Sequence, residues 1–377
     1  MFLLIPWIAV AQQASAETLL ANLPNGITVG PFDAGHVQGI AVDRHKGFIY
    51  LSFTTRLVKT DLKGNVIGSV NGLLGHLGCL EFNEKDGRVY GSLEYKNDGI
   101  GKGILSRMKK EGTHLQNAFY IAIFDVNKID RLDMDAEKEN VMTTVFLSRP
   151  LEDYTAEVTL KSKTRQHRFC CSGIDGVSIG PAFGTTDSRD YLTVAYGIYG
   201  DTTRTDNDYQ VLLQYDLTNW KRYERTISQT KMHTEGPSKP DGEYFVFTGN
   251  TTYGVQNLEY DKESRLWLMA VYNGKKSIYP NYALFAVDGT SSPKINSLQG
   301  VPYRQQASVL PLAPLGKTDL STGIRGWKKS VGNTGLESLG NGYYMAAESV
   351  STKDGSSAIL RLYRFDADQE NPFVLVH

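Results

Sequence analysis

The chain has 377 residues, 40 basic against 41 acidic side chains for a net charge of -1, 41% hydrophobic and 21% charged residues, and is rich in Gly (37), Tyr (21) and Phe (15). Such a composition can bury a large core, which excludes a disordered or fibrous chain. A near-zero net charge offers no field for a polyphosphate backbone and argues against a nucleic-acid partner. The length fits two ordinary domains or one large all-β domain; the Gly and Tyr content and the scarcity of helix-forming Ala/Leu/Glu/Lys blocks favour the second.

In chain order, the first sixteen residues, MFLLIPWIAVAQQASA, combine a short apolar run with a small-x-small ending at Ala14-Ser15-Ala16. That is the pattern of a secretory leader, although no Lys or Arg precedes the apolar run. No stretch is long and apolar enough to span a bilayer. The expected organisation is a leader over 1–16 and a single β-propeller catalytic domain over 17–377, exported to the periplasm or beyond and monomeric.

From residue 36 the chain reads as short strands broken by turn signals. GIAVDRHKGFIY (39–50) gives an apolar strand, a polar turn and an aromatic strand, and LVKTD, Lys63-Gly64 and NVIGSV complete a second hairpin. Four strands in so short a stretch make one propeller blade. The opening recurs at 78–95, 173–196, 241–249, 257–272 and 335–349. Companion strands FYIAIFDV (119–126), VLLQYDL (211–217), YALFAVD (282–288) and LRLYRFD (360–366) each carry an Asp where the chain leaves the sheet. With 290–330 long enough to hide a further opening, the spacing predicts a seven-bladed β-propeller. A β-sandwich with long loops accounts less well for the repeated openings. NGITVG near the start and PFVLVH at the end are candidates to close the ring. Between strands lie inserts at 97–118 and 127–168, in which DRLDMDAEKENV reads as a helical turn or two or as a solvated face. Cys79, Cys170 and Cys171 are too few for a disulfide framework. They read as buried thiols, with one Cys170/Cys171 side chain able to face Cys79.

No phosphate loop, HExxH, GxSxG or CxxC occurs, so nucleotide handling, triad hydrolysis and an organic cofactor have no motif. On a propeller the chemistry belongs at the ends of inner strands around the channel. His76, between Gly75 and Gly78 in GLLGHLGCLEFN, is placed there as an acid–base group or as a hydrogen-bonded structural histidine. RQHRFCCSGIDGVSIGP brings Arg165, His167 and Arg168 to an inner strand, suited to a carboxylate ligand or to an ion pair with Asp175. The polar loop YGDTTRTDNDYQ offers Arg204, Asp206, Asp208 and Tyr209, without EF-hand spacing, and reads equally as a solvated turn. His233, Asn250, Tyr253, Gln256 and Asn257 supply the amide and aromatic surface that reads sugars. His36 and Gln38 share one face of the first strand. An anion-compatible, aromatic, His-bearing pocket fits an acidic sugar. On a uronic acid, β-elimination needs a cation on the carboxylate, a base at C5 and an acid at the leaving oxygen; hydrolysis needs two carboxylates, for which Glu94, Glu259 and Glu348 keep the option open.

Together, GHVQGIAVD, SFTTRLVKTDLKG, GLLGHLGCLEFN, GRVYGSLEYKNDG and RFCCSGIDGVSIGP resemble the seven-bladed propeller enzymes that remove L-rhamnose from L-rhamnose-α-1,4-D-glucuronate caps of arabinogalactan and gum arabic, and are more distantly similar to propeller ulvan lyases. The resemblance implies β-elimination leaving an unsaturated glucuronate; the alternatives are hydrolysis, as an α-L-rhamnosidase, and a non-catalytic propeller that binds acidic plant glycans. It implies His76 as acid or base, Arg168 on the uronate and Tyr154 as the tyrosine before it. Asn97, beside Tyr95, stands where ulvan lyases have a second His. The rhamnosidase description instead implies a first-blade group on the opposite face, His36 or Gln38. Substrate contacts fall to Asn97, Tyr95, Arg204, Tyr209, His233, Tyr253 and Gln256. A structural divalent metal is the cofactor this family pattern allows, with His233 and Cys170 or Cys171 as a fragment of its site.

Overall fold

The computed structural model describes residue 20, residues 23–185 and residues 189–376. The leader-like residues 1–16 lie outside the described residues. Five antiparallel sheets follow one another along the chain. The first is Val37–Asp43, Phe48–Phe53, Arg56–Asp61 and Val66–Asn71; the second is His76–Asn83, Arg88–Tyr95, Ala118–Phe124 and Met142–Phe146. The third is Cys171–Gly180, Tyr191–Ile198, Tyr209–Asp216 and Gly242–Phe247; the fourth is Thr251–Asp261, Leu266–Asn273 and Leu284–Asp288, with Trp327 bridged to Leu284. The fifth is Leu336–Gly340, Tyr343–Thr352 and Gly355–Phe365. The first strand of each sheet packs against the first strand of the next, and the fifth sheet's returns to the first sheet's, so the sheets are blades around one axis.

Strand periodicity explains how the blades adhere. In Ala118–Phe124 every residue is buried: Phe119, Ile121 and Ile123 enter the core shared with the third blade, while Tyr120, Ala122 and Phe124 enter the core shared with the first. Alternate side chains point to opposite faces, and both faces are covered, which makes the run apolar throughout. The same division gives one apolar cluster between each pair of neighbouring blades, five clusters in all.

The protein is therefore a five-bladed propeller, and the expectation of seven is corrected. DGEYFVFTG is no opening: Gly242–Phe247 is the outer strand of the third blade, half exposed where true inner strands such as Val37–Asp43 are buried throughout. Residues 290–330 hide no blade either. Lys294–Asn296 and Ala307–Leu310 extend the third blade's outer edge, and Lys317–Thr318 pairs with Arg325–Gly326 as a short ribbon beside the fourth. Nor does 130–141 form a helical turn. The Asp135 carboxylate takes the N–H groups of Glu137 and Lys138, folding the segment into turns, while Met134–Asp135 adds a short parallel strand to Val70–Asn71.

The Asp residues that end the third strands have a shared purpose. Asp61, Asp216, Asp288 and Asp366 each accept the backbone N–H of the residue two positions on, which starts the turn to the outer strand. Among the described residues, two short helices accompany the sheets, α1 at Gly99–Arg107 and α2 at Ser148–Thr155, besides the helical residue 20. No helix of the described residues is long and apolar enough to cross a membrane. The three cysteines are free and buried.

Closure uses both ends of the chain. Tyr343–Thr352 covers the whole inner side of Gly355–Phe365, and the outer side is shared by Ile27–Phe32 at one end and Phe373–Leu375 at the other. Ile27 and Val29 are buried in the core between the fifth and first blades. Removing residues up to 32 should cost about 3–6 kcal/mol from these two side chains alone, read as a lower urea midpoint; an unchanged midpoint would mean that the N-terminal strand does not close the ring.

Candidate functional site

The channel mouth at the beginnings of the inner strands is irregular. The first four inner strands all slip register there, at Val37/Gly39, Leu77/Leu80, Cys171/Gly173 with Ile174/Val177, and Thr252/Val255 with Val255/Asn257. Such bulges turn side chains out of the regular alternation, and here they bring polar groups from four blades to one place. From the second blade come His76, Glu94 on the adjacent strand and Lys96 just past that strand's end; the third contributes Ser172 and Asp175, the fourth Gln256, and the first His36 and Gln38.

His76 Nδ1 lies 3.6 Å from a Glu94 oxygen and 3.7 Å from an Asp175 oxygen and has no hydrogen-bond partner among the described residues. Lys96 forms a buried ion pair with Glu94 and donates to the Ser172 carbonyl at 2.7 Å. The other Glu94 oxygen accepts the Ile174 N–H at 3.1 Å, and Asp175 accepts from Gln256 Nε2 at 3.1 Å. Room for Glu94 depends on Gly173, at φ +128°, where a Cβ would stand 1.9 Å from the carboxylate.

These surroundings separate the charges. Burial, reinforced by Lys96, pushes the His76 imidazole down to about 3, so the ring is neutral at pH 7. Burial and then the Glu94 charge raise Asp175 well above the usual carboxylate range. Burial also raises Glu94, but Lys96 opposes it; Lys96 itself keeps its charge against burial because Glu94 and Asp98 face it. The mouth thus holds a carboxyl with strongly raised proton affinity, a second carboxyl paired with Lys96, and a neutral imidazole.

The polar chain continues outward. Asp98 stands 4.0 Å from Lys96, caps α1 through the N–H groups of Ile100 and Gly101, and accepts from the Tyr199 hydroxyl at 2.7 Å. Tyr199 is hydrogen-bonded in turn to Tyr154 on α2, whose ring lies 4.5 Å from that of His167. On the other side, His36 contacts Gln38 Nε2 at 3.0 Å and, with Arg107, lines a depression of about 480 Å³. Burial and Arg107 lower its pKa.

Of the residues singled out in the sequence, His76, His36, Gln38, Glu94, Asp175 and Gln256 meet at this mouth. Tyr253, 46% exposed with its carbonyl on Gln256, stands at its rim, and Tyr154 joins through Tyr199 and Asp98. Arg168 does not join them. It pairs with Asp153 at 2.8 Å, rather than with Asp175, and lines an outer depression beside Arg149 and Arg304. Asn97 is exposed with its N–H on Asn117. Tyr95 is buried against Gln229; Arg204 is tied to Asp206 and the carbonyls of Gln166 and His167; Tyr209 accepts the Gln299 N–H. His233 sits on Thr144 and Tyr120 at the outer edge of the second blade, whereas Cys170 and Cys171 are in the core next to the third. No group of three or more His, Cys, Asp or Glu among the described residues could hold a metal ion. Lys96 and Asp98 were missed in the sequence although the signal is there: in LEYKND, Glu94, Lys96 and Asp98 fall on every second residue, with Glu94 on the strand, Lys96 just past its end and Asp98 capping α1.

The fold and mouth define a five-bladed β-propeller with a buried acid–base cluster at one end of its channel. No protein-family model matches the chain, and no curated protein does. Among solved structures it is similar to the GH43 β-1,3-galactosidase with galactodeoxynojirimycin, at 12% identity over 90% of this chain and 93% of that one, TM-score 0.40. It is also similar to the soluble aldose sugar dehydrogenase from Escherichia coli in its apo form (10% identity, 90% and 99% covered, TM-score 0.38) and to a protein of unknown function from Bacteroides caccae (10%, 76% and 89%, 0.30). Likeness at this level carries nothing about chemistry. The resemblance to the rhamnose–glucuronate enzymes thus extends to a propeller architecture, with five blades in place of seven.

Two consequences are measurable. Replacing Lys96 with Met leaves Glu94 buried without its cation and should cost about 3–5 kcal/mol, less at acid pH where Glu94 takes a proton. An Asp whose folded pKa is raised contributes stability that is complete below its ordinary value of 3.8 and lost as pH rises through the raised one. Urea midpoints of Asp175→Asn should therefore fall less steeply than wild type above about pH 4; parallel slopes would contradict the assignment.

Proposed function

We propose that the chain is an exported acid–base enzyme that cleaves a glycosidic bond of an acidic glycan at the His76 mouth, by hydrolysis, with L-rhamnose-α-1,4-D-glucuronate as the substrate its motifs favour. The observation that carries this reading is the pair Glu94 and Asp175 on either side of one imidazole nitrogen, one with a cation and one without. Glycoside hydrolysis needs one carboxylic acid to protonate the leaving oxygen and one carboxylate to act as base or nucleophile. Environments that push two carboxyl groups apart in pKa supply both from one site. In this reading Asp175 is the acid and Glu94 the carboxylate, while His76 orients between them. Elimination is less well supported, because the cation it needs on the uronate, Arg168, is engaged by Asp153.

One observation favours a second reading, a non-catalytic acidic-glycan-binding propeller: the side chains of Glu94, His76 and Asp175 are only 3%, 12% and 13% exposed. Incubation with a rhamnose-capped gum arabic oligosaccharide separates the cases. Hydrolysis releases rhamnose with no conjugated uronate absorbance, and Asp175→Asn or Glu94→Gln lowers kcat by roughly 10²–10⁴ with little change in KM. Rhamnose release accompanied by that absorbance identifies elimination instead; binding with no product from the wild-type chain identifies the binding propeller.

A further inference from the structure

We propose that the opposite mouth of the channel is a second ligand site, built for an organic ammonium group: a cavity of about 440 Å³ into which Glu81, Glu259 and Glu337 face from three inner strands, with one buried Glu337 oxygen lacking any hydrogen-bond partner among the described residues. The site lies where the inner strands end, away from the His76 cluster at their beginnings.

The charge of the wall selects a cation. Six carboxyl groups line the cavity against Arg44 and Lys262, with His45 beside them. Both cations are bound to the same carboxylate, Glu84, Lys262 at 2.7 Å and Arg44 more closely still. Arg44 and Lys262 hold Glu84 down at about 2 in spite of burial. Asp261 is occupied by the Tyr344 hydroxyl and by the turn N–H groups of Glu263 and Ser264, and Glu263 by the Asn341 N–H at 2.6 Å. The remaining three carboxyls have no ion pair within 4.0 Å among the described residues. Glu81 takes the Ser178 hydroxyl at 2.8 Å and the Ile179 N–H, Glu259 the Ser338 N–H at 2.9 Å, and Glu337 the Val42 N–H, while Glu337 Oε2 takes none. A buried acceptor without a donor is costly, and a donor-rich cation would satisfy Glu337 Oε2 while balancing the charge of all three carboxyls.

The size and wall of the cavity favour an ammonium ion on a carbon chain over a bare metal. Among the described residues no carboxyl cluster is placed to hold a metal ion. Val42, Phe82, Ile179, Tyr260 and Leu339 give the cavity an apolar side for an alkyl body. Burial raises the Glu81 carboxyl to about 7, and burial followed by repulsion from neighbouring carboxyls raises Glu259 and Glu337 well above the usual range, so each favours its proton in place of the missing positive charge. Entry of an ammonium group releases protons from these carboxyls to solvent, so affinity rises with pH through neutrality.

Calorimetric titration of the full chain with putrescine and with its neutral isostere 1,4-butanediol, in two buffers of different ionisation heat, tests the site without reference to any catalytic activity. Putrescine should bind with net proton release and the diol should not. Glu337→Gln and Glu259→Gln should each weaken binding by about tenfold or more without lowering the unfolding midpoint, since each removes a buried repulsive acid. Equal binding of the diol, unchanged affinity in Glu337→Gln, or displacement of putrescine by calcium chloride would overturn the proposal.

Discussion

Five inner strands meet around an axis too narrow for ordinary side chains along its length. A Cβ at Gly39 would stand 2.7 Å from the Cys79 backbone, and one at Gly176 would stand 3.0 Å from Leu258. Neighbouring backbones therefore touch, and polar groups carried into the channel are cut off from water. This constraint sets the chemistry of both mouths. In a wider ring the same carboxyls would be hydrated and ionised; here they must pair, hydrogen-bond or hold a proton.

The two mouths meet that demand differently. At the strand beginnings, bulges gather groups of mixed type, and Lys96 balances one of two carboxyls. The result is a polarised cluster in which neighbouring acids differ in charge. At the strand ends the register is regular in the first four inner strands, whose slips all lie nearer the other mouth, and the carboxyls of the second and fourth blades meet Glu337 of the fifth. Arg44 and Lys262 pair with Glu84 instead, which leaves the other carboxyls without a cation and raises their affinity for protons. A raised carboxyl in the folded state weakens the fold as pH rises, so both clusters make the protein less stable in alkali. Structural packing alone gains nothing from this arrangement, which is why each mouth is read as a place where something binds.

Much of the architecture was legible in the chain. The third strands stand out because each closes on an Asp, which in four of them makes a turn that a local sequence can show, and LVKTD together with the four companion strands gives five, the true blade number. Inner strands are a poorer guide. DGEYFVFTG has the apolar run and turn of an opening, and only burial on both faces distinguishes an inner strand from an outer one. His76 was visible through its flanking glycines. Arg168 stands out as a basic residue entering an inner strand, but an arginine declares its charge and not its partner, and Asp153 reaches it from α2, 15 residues earlier. The Glu94–Lys96 pair was readable as alternating charge, whereas its meeting with Asp175 depends on two blades packing side by side.

The raised proton affinity of the buried carboxyls is the feature on which both mouths depend. Infrared spectroscopy of the carboxyl stretching region across a pH titration tests it directly. The account predicts a protonated-carboxyl band that persists at pH 7, loses one component in Asp175→Asn and others in Glu259→Gln and Glu337→Gln. Disappearance of the whole band within the ordinary carboxylate range would contradict it.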